Sequence, residues 1–145
     1  MIKIPSQTIF YTIEKAIKEY RRFAQGNLND KVENITIDQA LLLFFLNDNP
    51  ELSQNEISKL VFKDKASVTR MIELMRKKNY LKRSINNDDR RKFNLILTSK
   101  GKKSLDVLTP IISFNRKNAL SGIAIEEVNQ LKTILNKIIN NCNSK

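Results

Sequence analysis

The chain has 145 residues, 41% apolar and 28% charged, the balance expected of one soluble globular domain long enough to bury a core. It holds neither His nor Trp and a single Cys, which excludes an internal disulfide, a cysteine zinc cluster and the commonest general base. Lys and Arg number 26 against 15 Asp and Glu, a net charge of +11, and no apolar run approaches the about 18–20 residues that span a bilayer.

The first predicted element is an amphipathic helix over residues 8–25, with Ile9, Ile13, Ala16, Ile17, Tyr20 and Phe23 at helical spacing. After Gly26 the polar stretch from Asn27 to Asn34 reads as a loop. Thr36 and Gln39 then form a capping-box pattern. The run from Ala40 to Leu46 is apolar nearly all round and predicts a buried central helix, stopped by Asn47-Asp48-Asn49-Pro50. Ser53 and Glu56 make a second capping box for a short helix to about Val61, and Asp64 caps a third from Lys65 to about Lys78. Val68, Met71, Ile72 and Met75 form the core face of that third helix. Asn79 is suited to the left-handed conformation that ends many helices.

From Tyr80 the period changes. Residues 80–85 and 93–97 read as two strands around the charged turn Asn86-Asn87-Asp88-Asp89, a hairpin. A long helix follows to about Leu120, with Pro110 predicting a bend or a break. After Gly122 a last helix runs from about Ile125 to Asn141, with an apolar stripe of Leu131, Ile134, Leu135, Ile138 and Ile139.

The charge is concentrated. The segment from Lys59 to Lys103 holds 15 basic and 4 acidic residues, so the whole excess sits there and the rest of the chain is neutral. A basic centre in a neutral frame points to a polyanion, above all a nucleic acid. The order helix, tight turn, helix, charged hairpin is the layout of a winged helix-turn-helix, whose second helix presents its N-terminal residues to base edges in the major groove. Here that end offers Lys65, Ser67, Thr69 and Arg70, two hydroxyls and an Arg able to fork onto guanine. Ser53, Asn55 and Lys63, at the ends of the preceding helix, are placed for phosphates. Arg90 and Arg91 at the hairpin tip can reach an adjacent minor groove. Among the residues there is no carboxylate pair, no nucleophile with its base and no phosphate-cradling glycine loop, so no enzyme, cofactor or metal is expected.

The stretch Leu60-x-x-x-Asp64-x-x-Ser67-Val68-Thr69-Arg70-x-x-x-x-Met75-x-x-Lys78-Asn79-Tyr80-Leu81-x-Arg83, followed by Asp88-Asp89-Arg90-Arg91 and Leu97-Thr98-x-x-Gly101, resembles the MarR family of bacterial transcriptional regulators. The resemblance covers nearly the whole chain. It implies a mainly α fold with a small β-hairpin wing: a winged helix-turn-helix over residues 35–98, with dimerisation helices at 1–34 and 99–145. It further implies that Asp89 holds the wing in shape while Arg91 enters the minor groove. The partners implied are double-stranded DNA, a second copy of the chain and a small phenolic or anionic effector, in a bacterial cytoplasm and without a membrane. Phe10, Tyr11, Phe44, Phe45 and Phe114 are the aromatic residues that could wall an effector pocket, with core or dimer packing as their other role. Two positions depart from the family pattern: Asn79 replaces the usual Gly after the reading helix, and Ala124 replaces the usual Ser or Thr cap before Glu126-Glu127, so that helix start is expected to fray. Cys142 reads as a spectator thiol near the C-terminus. The function expected is a sequence-specific regulator, a repressor acting on a roughly palindromic operator. A winged-helix protein-interaction module and a nonspecific DNA-architectural protein are the other two readings.

Overall fold

Residues 4–32, 34–85, 88–89 and 93–144 are described in a computed structural model, without the side chain of Phe93. The capped segments fold as their sequence directs. A 3-10 turn at Pro5–Gln7 leads into α1 (Ile9–Lys31), capped by Thr8. Then come α2 (Ile37–Asp48), α3 (Gln54–Leu60) and α4 (Lys65–Lys77). The antiparallel strands β1 (Leu81–Ile85) and β2 (Phe93–Leu97) pair with Leu81 opposite Leu97 and Arg83 opposite Leu95. Last are α5 (Ser99–Ala119) and α6 (Ile125–Asn143). The chain forms two compact units, residues 1–115 and 116–145.

The Thr36–Gln39 box is complete. Thr36 Oγ1 accepts from the Gln39 backbone N–H, and Gln39 Oε1 accepts from that of Thr36, both at 3.1 Å. The helix it starts is the centre of the first unit: Leu42, Leu43 and Leu46 are buried, beside Ile57 of α3, Val68, Ile72 and Met75 of α4, and Leu108 of α5. Packing of α2 on β2 and of α4 on β1 closes this core.

Three expectations need correction. Helix α1 does not stop at Gln25 but runs on to Lys31, through Gly26 and the polar stretch read as a loop. Gly and Asn each cost a helix less than about 1 kcal/mol, whereas burying Leu28 returns about 1.5–3 kcal/mol. Buried Ala24 and Leu28, four residues apart, hold the helix across the glycine. Asn27 Nδ2 also donates to Oδ1 of the buried Asn115 at 2.8 Å. Second, of the bend or break expected at Pro110, the break does not occur, and α5 runs through it. Pro110 lies on an exposed face, while Leu105 and Leu108 on the other side are buried and keep the turns in register. Third, α6 begins in order despite Ala124, because Glu127 Oε1 accepts the Ala124 backbone N–H at 3.1 Å. Ala124 has no side-chain acceptor, so this is the returning half of a capping box alone.

The wing is pinned at its base to α5. Thr98 donates its backbone N–H to the Tyr80 carbonyl (3.1 Å), and its Oγ1 accepts the Gly101 N–H (3.1 Å). A Cβ on Gly101 would lie 2.4 Å from the Tyr80 carbonyl oxygen, which is backbone and cannot swing aside. Gly101→Ala should therefore destabilise the protein by about 1–3 kcal/mol in urea unfolding. The cost appears although alanine is the better helix former.

Candidate nucleic-acid interface

Helices α3 and α4 form the helix-turn-helix, and the N-terminal turn of α4 is organised by one carboxylate. Asp64 Oδ1 accepts the Ser67 backbone N–H at 2.7 Å, and Oδ2 accepts the Ser67 hydroxyl at 3.1 Å. Ser67 Oγ in turn accepts from Arg70 Nη2 at 3.1 Å. The backbone hydrogen bond from Ser67, then its hydroxyl and the Arg70 charge, lower the Asp64 carboxyl below its ordinary 3.8. An Asp64–Ser67–Arg70 chain thus orders the exposed Arg70 guanidinium on the helix surface.

The other sequence-predicted positions fall into two groups. Lys65, Thr69 and Arg70 are exposed and Ser67 half-exposed on one end of α4. Thr69 Oγ1 donates to the Lys65 carbonyl (2.9 Å), with Gln54 Oε1 of α3 at 3.5 Å. Ser53 caps α3, its Oγ accepting the Glu56 N–H and donating to Glu56 Oε1, both at 3.1 Å. Asn55 is exposed in the first turn of α3. Lys63 is already engaged. Its Nζ lies 3.2 Å from Asp38 Oδ2, and Arg21 Nη2 holds Oδ1 of the same carboxylate at 2.7 Å. The turn before α4 is tied in this way to α1 and α2.

Val68, Met71, Ile72 and Met75 are buried as predicted, and Asn79 ends the helix region with a φ of 66°. Sequence reading missed the brace between α4 and the wing. Glu73 of α4 accepts from Arg76 Nη1 (3.0 Å) and from Arg83 Nη2 of β1 (2.7 Å). Only an i,i+3 pair was legible there; the Arg83 bond needs the hairpin to fold back beside α4. Lys100 adds a second tie, with its Nζ 4.5 Å from the Tyr80 ring centre and 2.7 Å from the Lys78 carbonyl. Asp89 is half-buried, and Arg90 and Arg91 lie outside the described residues.

Among the described hollows, none is lined by more than one of the five aromatic residues. Phe10, Tyr11 and Phe114 are exposed, while Phe44 and Phe45 pack against the core. Phe10 lines an open hollow with Gln7, Thr8, Ile9 and Thr12. A separate hollow, lined by Gln25, Asn29, Val32, Asn34, Leu74 and Lys78 among others, opens between the end of α1 and the last turns of α4; none of the five aromatics is among its described lining residues. Among the described residues, no group of three or more His, Cys, Asp or Glu could hold a metal ion, and no helix is long and apolar enough to cross a membrane.

A buried-underside reading helix, a helix-turn-helix partner and a two-stranded wing braced to it define a winged helix-turn-helix protein. Residues 33–92 match the model of the MarR family. The HTH-type transcriptional regulator BilQ of Clostridium symbiosum is 25% identical over 132 residues, covering 91% of this chain and 90% of that protein. The HTH-type transcriptional regulator SarZ of Staphylococcus aureus is 26% identical over 140 residues, covering 94% and 90%. Among solved structures, Bordetella bronchiseptica BpsR superposes with a TM-score of 0.85 at 22% identity, covering 95% and 97% of the two chains. A Staphylococcus aureus MepR–DNA complex gives 0.82 at 23% identity, covering 96% and 99%. The chain has the winged helix-turn-helix fold, its residues 33–92 resemble the MarR family, and along nearly its whole length it is similar to HTH-type transcriptional regulators.

The lowered carboxyl predicts a pH dependence. A group whose pKa falls on folding stabilises above its ordinary value, and that contribution is lost as the pH drops through the lowered one. Asp64→Asn keeps a good helix cap but removes the charge. It should melt below the wild type at neutral pH, and the difference should close on acidification below pH 3.8, followed by circular dichroism.

Proposed function

We propose that this protein binds a roughly palindromic duplex operator as a homodimer, represses transcription there, and is released when a small phenolic or anionic effector binds. The observation that carries the reading is the Asp64–Ser67–Arg70 chain, which presents an ordered guanidinium within the segment holding all of the excess charge. Arg70, Thr69, Ser67 and Lys65 then meet base edges, Ser53 and Asn55 meet phosphates, and Lys63 joins them while keeping Asp38 as its neighbour. Arg90 and Arg91 take the minor groove, with Asp89 shaping the wing.

Two apolar faces support the homodimer. On α1, Ile9, Phe10 and Ile17 are exposed, and α6 buries none of its residues although Leu131, Ile134 and Ile139 line it. Exposed apolar faces mark interaction sites, and a second copy of the chain is the partner proposed for each. The reported regulation of BpsR's DNA binding by 6-hydroxynicotinic acid supports an aromatic acid as the class of effector. Such a ligand releases DNA only by binding the non-reading arrangement more tightly than the reading one.

Fluorescence anisotropy on DNA from upstream of the protein's own gene, against a shuffled duplex and across a salt series, tests this. A sequence-specific dimer gives two chains per site and a gap of about a thousandfold or more between the duplexes. Arg70→Ala should cost on the order of 1–3 kcal/mol on the preferred duplex and far less on the shuffled one. Equal losses on both would make Arg70 a phosphate contact. Equal binding of the wild type to every sequence, including duplexes enriched from random pools, would replace the regulator reading with an architectural one.

A further inference from the structure

Phe62 sits in the turn between α3 and α4 with a φ of 57° and 94% of its surface exposed. The turn is a Schellman motif: Lys63 donates its backbone N–H to the Ser58 carbonyl at 3.0 Å, across the αL residue between helix end and return. Glycine is the ordinary occupant of that position, because a Cβ there is crowded by the following carbonyl. The other two described non-glycine residues at positive φ, Asn34 and Asn79, are of the type that tolerates it. Phe62 is not, and its ring gains nothing from packing. The residue therefore works against the fold twice, through a strained backbone and through a large apolar side chain left in water. Strain of this kind persists where a binding function depends on it.

Position indicates what the ring meets. Phe62 immediately precedes Lys63, Asp64 and Lys65, and Asp64 is the cap of α4, so its ring projects from the end of the unit proposed to enter the major groove. Resting on that DNA-binding reading, we propose that Phe62 is a DNA contact, laying its ring on apolar duplex surface, deoxyribose carbons or thymine methyls, at the edge of the groove that α4 reads. The left-handed turn aims the ring outward, away from the core that Ile57 and Val61 enter.

F62G, F62Y and R70A variants of the full chain test this by thermal unfolding and by anisotropy. The probes are a duplex recovered by the wild-type protein from a random-sequence pool and a shuffled duplex. F62G should melt about 2–5 °C higher, since glycine relieves the αL strain. It should also bind DNA about tenfold more weakly, as expected for losing one buried ring. F62Y, which keeps the ring, should stay within about twofold of the wild type. Loss on both duplexes assigns the contact to deoxyribose, and loss on the selected duplex alone assigns it to thymine methyls. If R70A weakens binding and F62G does not, the DNA reading stands and this inference is overturned in favour of a protein partner at the ring. A lower melting temperature for F62G also overturns it, because the ring would then support the fold. A wild type that recovers no duplex overturns both readings together.

Discussion

Val68, Ile72 and Met75 lose all of their exposure to water on one side of α4, and that burial decides which way the opposite side points. With a helix turning about 100° per residue, fixing these three leaves Thr69 and Arg70 no choice but solvent, and Ser67 lies between. Leu81 of β1 and Leu97 of β2 belong to the same buried core, so the wing and the reading helix are placed by one core. Burial of a side chain of this size contributes about 1.5–3 kcal/mol, far more than any exposed ion pair around it. The polar ties from Glu73 to Arg83 and from Lys100 to Tyr80 therefore act as orientation devices on a frame the core has already built.

Acidic residues in the basic segment are informative for the same reason. Each weakens the attraction to phosphate, so each needs another cause. Asp64 caps α4 and orders Ser67 and Arg70, and Glu73 braces the wing. Both sit where loss of geometry would cost more than the field they remove. Lysines supply an attraction that salt screens and that is blind to sequence, whereas an ordered Arg beside two hydroxyls offers a directional donor set.

Most of the architecture was legible along the chain. The box of Thr36 and Gln39, the caps Ser53 and Asp64, and the stop at Asn79 are local signals, written within four residues of where they act, and each is found in the structure. The hairpin was legible because its period and turn chemistry are local as well. The end of α1 was not. Gly26 and the asparagines after it read as a loop, since the burial of Leu28 and the bond from Asn27 to Asn115 join residues far apart in sequence. Pro110 reads as a bend or a break, and the break is absent for the same reason: the turns that hold α5 together on its other side are invisible from the local pattern.

The candidate site divides along the same line. The sequence by itself determined the basic centre, the identity of the reading helix and the residue types at its N-terminal end, because these follow from composition, capping and helical period. Only the tertiary structure decided that Arg83 meets Glu73, that Lys63 is shared with Asp38 and Arg21, and that the Phe62 ring stands clear of the core. The reason is physical. Charge and period are properties of neighbours in the chain, but a hydrogen-bond partner or an exposed face exists only once a distant segment has folded against it or left it bare.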